Sequence, residues 1–316
     1  MRVLIELPTW LGDAVMATPA IENLINFYKD LEVVLIGSPA PIEIFKNHPN
    51  ISEMHILNKS YISLFMHARK LGRFDIFLSF RSSIRSTLLK FFISSVSKYQ
   101  YKGDELRKCH QVEKYNNFIN NSLGKDFLVG QLIIYSKNLF KESSELIKKH
   151  KPLLGLNPGA SYGNAKRWYP EEFAKVAIKL SNQFDIILFG GDSEKDISMD
   201  IEKLLIEKGV TNFTNISGKT SISELIQYIS NLDFFITGDS GPMHIAASFQ
   251  VPSITIFGPT KDNETSQWMA RRGIILKKNL ECQPCLKRVC PLKHHNCMKL
   301  IKANDVIEAV NSLKLN

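Results

Sequence analysis

The chain has 316 residues, of which 44% are hydrophobic and 22% charged, with 40 Lys and Arg against 31 Asp and Glu. This usage fits a globular protein with room for two domains of about 150 residues each, and it excludes extensive disorder or a fibrous chain. No stretch approaches the roughly 18–20 uninterrupted apolar residues of a membrane-spanning helix, and five cysteines in so long a chain do not suggest a secreted disulfide framework, so a cytoplasmic compartment is expected.

In chain order, Met1 and Arg2 lead into Val3, Leu4 and Ile5 and then meet Glu6, which reads as a buried first strand rather than a signal peptide. The strand is placed at Val3–Leu7, and Pro8–Asp13 is read as a loop carrying Gly12. A helix is predicted over Thr18–Tyr28, where Ile21, Leu24, Ile25 and Tyr28 recur at helical spacing. Glu32–Ile36 is β-branched and closed by Gly37, hence a strand. A helix near 40–47, a strand at 53–57, a helix at 60–70 and the strand Asp75–Ser79 continue the alternation. Strands alternating with helices through short loops are βαβ units with a parallel sheet buried on both faces.

Around 136–152 the composition turns polar, with Lys137, Lys141, Lys148, Lys149 and Lys151 before Pro152. The domain joint is placed there, giving domains 1–150 and 151–316. The alternation then restarts with Leu153–Asn157 as strand, Pro170–Asn182 as helix and Asp185–Phe189 as a strand ended by Gly190 and Gly191. A helix at 194–208, a short strand near 212–216, a helix at 221–230 and the strand Asp233–Thr237 follow. His244–Phe249 is read as helical and Ser253–Phe257 as the last clear strand. The expected fold class is α/β, two Rossmann-like domains with parallel sheets facing across a cleft, with ligands at the strands' carboxyl ends.

The formal net charge is +9, and it is unevenly spread: residues 59–114 hold 12 basic and 4 acidic side chains, whereas residues 1–58 hold 3 and 7. A field of that sign attracts anions, either as an ordinary solvated basic face or as a docking surface for an acidic partner. No nucleic-acid-binding motif accompanies it.

Three polar loops follow predicted strands. In the first, Gly12 permits a tight turn and Asp13 stands at the strand mouth, either capping the next helix or serving as a general base. The second runs from Asn157 to Trp168. Its small residues let backbone approach a ligand, Ser161 and Tyr162 offer hydroxyls, and Lys166 and Arg167 add positive charge. It is neither the Walker spacing nor the dinucleotide fingerprint. The third, Thr237–His244, leads into a helix whose first N–H groups, with the Ser240 hydroxyl, form a seat for a diphosphate. Asp239 would repel phosphate, so it either orients the loop or accepts from a sugar hydroxyl. His244 is either structural or a cationic contact. Phe257–Thr260 follows the next strand and completes the pocket.

Gly12 and Asp13 after the first strand, the segment Asn157–Pro170, and the run from Gly238 to Ala247 followed by Phe257–Thr260 together resemble the family 9 glycosyltransferases, the ADP-heptose:lipopolysaccharide heptosyltransferases. The segment Cys282–Met298 is similar to the tail of the branch that adds the second inner-core heptose. The resemblance covers both halves of the chain. It implies a GT-B fold and inverting transfer of heptose from ADP-heptose to a heptosyl-Kdo–lipid A acceptor, with no metal and no cofactor beyond the donor substrate. It also implies peripheral contact with the inner face of the inner membrane and no nucleic-acid partner. Position by position, Asp13 matches the family's general base and Lys166 the lysine that neutralises the diphosphate. Gly12, Ser161, Tyr162, Asp239, Ser240, Gly241, Met243 and His244 fall at substrate-binding positions. One of Asp192, Ser193 and Glu194 is expected to meet the ribose. The basic stretch, with Arg69, Arg73, Arg81 and Arg85, would face the phosphates and carboxylates of the acceptor. The alternatives are a family member with a different acceptor, such as the branch that adds the first heptose, and a non-catalytic nucleotide-sugar-binding module.

Cys282, Cys285, Cys290 and Cys297, with His294 and His295 nearby, have the local density of a metal knuckle but are compressed into 16 residues. Reduced thiols in a stabilising loop are the expected reading, with a structural metal as the alternative.

Overall fold

The computed structural model describes residues 1–57, 60–103, 108–136 and 150–314. The chain divides into two units, Met1–Ser136 and Lys137–Asn316. The lysine-rich stretch 137–149, within the expected joint, lies outside the described residues.

The first unit carries β1 (Arg2–Glu6), β2 (Glu32–Gly37), β3 (Ile51–Ile56), β4 (Arg73–Ser79) and β5 (Ser94–Gln100), all parallel, in the order β3-β2-β1-β4-β5. Val3, Leu4 and Ile5 are fully buried, which is why a nearly continuous apolar run forms this central strand. The strand order reverses between β1 and β4, so their carboxyl ends form the switch point of the sheet. There Glu6 sits opposite Ser79, and it is almost wholly buried. Ser79 and Ser86 donate hydroxyl hydrogen bonds to its two oxygens at 2.6 and 3.0 Å.

The second unit carries β6 (Leu153–Asn157), β7 (Asp185–Leu188), β8 (Phe213–Asn215), β9 (Phe234–Gly238), β10 (Ser253–Ile256) and β11 (Gly273–Leu276), again parallel, in the order β11-β10-β9-β6-β7-β8. The helix Pro170–Leu180 buries Phe173, Val176 and Ala177 in the core of this unit. Val306, Val310 and Leu313 of the last helix, Ala303–Lys314, join the same core. Trp168 is a packing residue: its Nε1 donates to the Ile301 carbonyl at 3.0 Å and its ring meets Phe173 edge-on.

Both parallel sheets match the expectation, with local differences. Leu11–Asp13 is not loop but the first turn of a helix, Leu11–Met16. The third-loop helix starts at Gly241 rather than His244, and β11 follows what reads as the last strand. Two helices, Ile84–Phe92 and Gln111–Leu123, and strand β5 complete the first unit.

Asp185 ties the entrance of the second unit to its sheet. Burial opposes its ionisation, but backbone N–H groups of His150 and Lys151 donate to it at 2.7 and 2.9 Å and Asn212 at 3.2 Å, so its carboxyl is held below the ordinary value. A lowered folded value means stability that is present above the ordinary carboxylate range and is lost as pH falls through the folded value. Asp185→Asn is therefore expected to destabilise the second unit by roughly 1–3 kcal/mol at neutral pH. Urea midpoints of variant and wild type should converge as the medium is acidified.

Candidate active site

In the second unit the strand order reverses between β6 and β9, which lie side by side with Asn157 opposite Thr237. The loops that leave their carboxyl ends are joined by one buried side chain. Asn157 Nδ2 donates to Thr237 Oγ1 at 3.0 Å and to Ser240 Oγ at 3.2 Å. Beside this junction Lys166, at the end of a short 3-10 turn, places Nζ 2.6 Å from Asp239 Oδ2, and Thr260 donates to the same oxygen at 2.6 Å. Asp239 thus orients Lys166 and links the third loop to the one after β10. Side chains of Lys166 and Asp239 are 13% and 6% exposed, so their pairing is screened little by water.

Tyr162 forms the outer wall. Lys166 Nζ stands 4.8 Å from its ring centre and the Arg288 guanidinium 5.3 Å, while its hydroxyl donates to the Leu286 carbonyl at 2.9 Å. Ser161 is exposed beside it, and Gly241 opens the following helix. Met243 and His244 are buried in that helix. Among the three residues expected at the ribose, Asp192 is exposed and pairs with Lys195 at 2.8 Å. Glu194 is buried and accepts from Gly191 N–H at 2.9 Å. Its carboxylate packs against Gly159, where an added Cβ would come within 2.2 Å of it. Sequence reasoning missed Asn157 as the joining side chain and Arg288 as a second cation at Tyr162.

Gly163 shows how tightly this loop is held. Its φ is +155° and a Cβ there would stand 2.5 Å from the Arg288 carbonyl oxygen, which also accepts the Ala165 N–H at 3.0 Å. Gly163→Ala is expected to cost about 1–3 kcal/mol, read as a lower thermal midpoint of the second unit.

In the first unit Asp13 is the third residue of its helix, an acid in the first turn; the N-cap position is Trp10, which makes no side-chain cap bond. The Tyr115 hydroxyl donates to Asp13 Oδ1 at 3.3 Å. Burial, and then the charge of Asp13, push the Tyr115 phenol well above its ordinary value, so it remains a donor. Gly12, partly exposed, precedes Asp13 in the same turn.

Tyr101 packs on Tyr115 with ring centres 5.3 Å apart and also borders a cavity of about 480 Å³ flanked by Lys90, Lys98, Lys102 and Lys114. Four lysines of the basic stretch therefore meet at a pocket that sequence reading did not find. Of the arginines expected at the acceptor, Arg81 lies at the switch point of the first sheet. Arg81 is mostly buried, donating through Nε to the Leu7 carbonyl at 2.7 Å with Nη1 3.8 Å from Glu6. It serves the switch point of the sheet, because a buried carboxylate needs a nearby cation.

The four clustered cysteines line one small cavity with Ala165, Pro259, His294 and His295, and none is in a disulfide. Both His295 nitrogens are engaged, one with the Tyr169 hydroxyl at 3.2 Å and one with the Ala165 carbonyl at 3.0 Å. Burial pushes the Cys297 thiol up to about 11, with Cys290, Cys282 and Cys285 contributing. Among the described residues no three His, Cys, Asp or Glu side chains are grouped so as to hold a metal ion.

Residues 65–296 match the model of glycosyltransferase family 9 (heptosyltransferase). The chain is 39% identical to lipooligosaccharide heptosyltransferase 2 of Campylobacter jejuni over 100% of its own length and 99% of that protein. It belongs to glycosyltransferase family 9. Two solved structures share the fold of this family 9 chain. One is the Escherichia coli ADP-heptose LPS heptosyltransferase II, with TM-score 0.83 and 20% identity, covering 100% of this chain and 99% of that one. The other is a family 9 glycosyltransferase from Veillonella parvula, with TM-score 0.86 and 22% identity, covering 99% and 97%. The chain is thus a glycosyltransferase with two Rossmann-like units of the GT-B class. Among its described residues no helix is long and apolar enough to cross a membrane.

Proposed function

We propose that this heptosyltransferase moves L-glycero-D-manno-heptose from ADP-heptose to the first heptose of the lipopolysaccharide inner core, with inversion and without a metal. The observation that carries the reading is the Lys166–Asp239–Thr260 cluster beside the Asn157–Ser240 junction. It sits in a chain whose relative, similar along its whole length, is a lipooligosaccharide heptosyltransferase 2. In this reading the first domain, 1–150, takes the acceptor and the second, 151–316, the nucleotide sugar. Localisation is cytoplasmic, with the enzyme peripheral at the inner face of the inner membrane, where its acceptor is anchored.

The chemistry follows from the side chains. The acceptor hydroxyl oxygen bonds to the anomeric carbon as the bond from that carbon to the diphosphate breaks, and ADP leaves with the electron pair. Asp13 takes the hydroxyl proton, held for that task by Tyr115. Charge developing on ADP is met by Lys166 and by the N–H groups that open the helix Gly241–Ser248, with Ser240 beside them. Asp239 keeps Lys166 aimed, so little reorganisation is needed when the diphosphate arrives. The lysine pocket is suited to acceptor phosphates and carboxylates.

The test is mass spectrometry of products made from ADP-heptose with two acceptors, Kdo–lipid A with and without its first heptose. Addition of a single heptose to the heptosylated acceptor alone, unaffected by EDTA, is expected. Addition to the heptose-free acceptor would assign the chain to the branch that adds the first heptose. Donor binding with no transfer to either would make it a non-catalytic module.

A further inference from the structure

Among the described residues, two adjoining helices of the first unit leave an apolar face without a partner. The helix Tyr61–Lys70 buries Leu64 and Ala68 against the core, and the helix Ile84–Phe92 buries Leu89. The two pack together through Phe65 and Phe92, with ring centres 5.1 Å apart, and through the Arg85 guanidinium 5.5 Å from the Tyr61 ring. Residues 84, 88 and 91 fall on one stripe of the second helix, next to the side that meets Phe65 and away from Leu89. Ile84 is 81% exposed and Phe91 80%, with Leu88 between them. On the neighbouring helix Ile62 is 73% exposed, and Phe65 and Met66 are also exposed. Exposed side chains of this size on two adjoining helices exceed the scattered apolar residues of an ordinary surface.

The charge around the face selects its partner. Neither helix contains an acid, and Asp75 is the one acid between residues 60 and 103 against eight Lys and Arg. That acid is engaged, accepting from the Arg2 N–H at 2.7 Å. Arg69 lies over the Phe65 ring at 5.8 Å, so a cation borders the apolar side chains directly. A second copy of this chain docked face to face would set these cations against themselves. An apolar ridge flanked by arginine and lysine, with no acid on either helix, fits the headgroup boundary of an anionic bilayer, where apolar side chains enter the acyl edge and cations meet lipid phosphates.

We infer that the outer face of helices Tyr61–Lys70 and Ile84–Phe92 docks this enzyme on an anionic lipid surface. This rests on the proposed lipid-anchored acceptor for its purpose, though not for its physics. The lysine pocket shares Lys90 with the second of these helices, so a docked enzyme would present that pocket close to the headgroups.

The test is flotation of the full chain with vesicles of phosphatidylcholine alone or containing phosphatidylglycerol, for wild type and for Ile84→Asp/Phe91→Asp. Both replaced side chains are solvent-exposed, and circular dichroism verifies folding. Wild type should float with the phosphatidylglycerol vesicles only, and the variant's partition should fall at least about tenfold. Arg69→Glu/Lys70→Glu should give a similar loss that added salt mimics. Equal flotation of wild type and the Ile84→Asp/Phe91→Asp variant would overturn the inference. So would a concentration-dependent dimer that this variant abolishes, since the face would then serve a second copy. A deacylated, water-soluble acceptor separates this inference from the proposed activity. The variant should turn it over at the wild-type rate while losing at least about tenfold on vesicle-embedded acceptor. If wild type turns over neither acceptor yet floats as expected, the proposed activity fails and the docking surface stands.

Discussion

Asparagine in place of Asp13 is expected to lower kcat by about 10²–10⁴-fold while donor affinity stays within a factor of about two. The substitution keeps the shape of the side chain and removes its capacity to take a proton. Asp13 also sits in the first turn of its helix, where a negative charge is favourable, so a small stability loss of about 0.3–1 kcal/mol accompanies the change. That loss is too small to unfold the first unit, and it separates a chemical from a structural defect. Tyr115→Phe is the companion variant. It removes the hydroxyl that donates to Asp13 Oδ1 at 3.3 Å but leaves the ring packed edge-on against Tyr101 and Phe80. A kcat lower by about tenfold is expected if that hydrogen bond holds the carboxylate in position to take the proton. Isothermal titration with ADP checks the donor side. An Asp13→Asn enzyme that turns over at the wild-type rate would move the base to another residue and leave the family membership untouched.

How much of this was legible in the sequence depended on where side chains point. The apolar runs at 3–7, 32–36, 153–157 and 233–237 announce central parallel strands because both faces of those strands are buried. Strand β5, Ser94–Gln100, carries serine, lysine and glutamine at the sheet edge, so no apolar alternation marks it. The helix Ile84–Phe92 is misleading in another way, since its largest side chains face outward and only Leu89 and the small Ser86 are fully buried. The turn at Leu11 was hidden because Gly12 weakens helical propensity and Trp10 is no usual cap. The three loops that carry the candidate site were visible as polar segments after strands. That the second and third of these meet was not, because it follows from β6 pairing with β9, two strands separated by about 80 residues of sequence. Lys166 and Asp239 meet for that reason alone. The burial of Arg81 likewise depends on Glu6 and Leu7, which lie on a different strand segment more than seventy residues earlier.

Lys166→Ala is expected to lose about 10²–10³-fold in kcat/KM, the scale of removing one preorganised charge from a leaving group. It also leaves the Asp239 carboxylate buried with the Thr260 hydroxyl as its remaining near partner, and breaking a buried pair by deleting one member costs about 3–5 kcal/mol. Two effects would therefore appear together, and the double variant Lys166→Ala/Asp239→Asn divides them. Neutralising Asp239 removes the uncompensated charge, so the thermal midpoint should recover most of the way while kcat/KM remains low. Lys166→Arg should keep the charge but place it poorly, because a planar guanidinium does not replace a compact ammonium 2.6 Å from the buried Asp239 Oδ2. An intermediate loss in kcat with little change in stability is expected for it. If activity instead returned in the double variant along with stability, Lys166 would serve only to fold the loop. The charge on departing ADP would then fall to Arg288, whose guanidinium meets the same Tyr162 ring, and to the Gly241 N–H at the helix start.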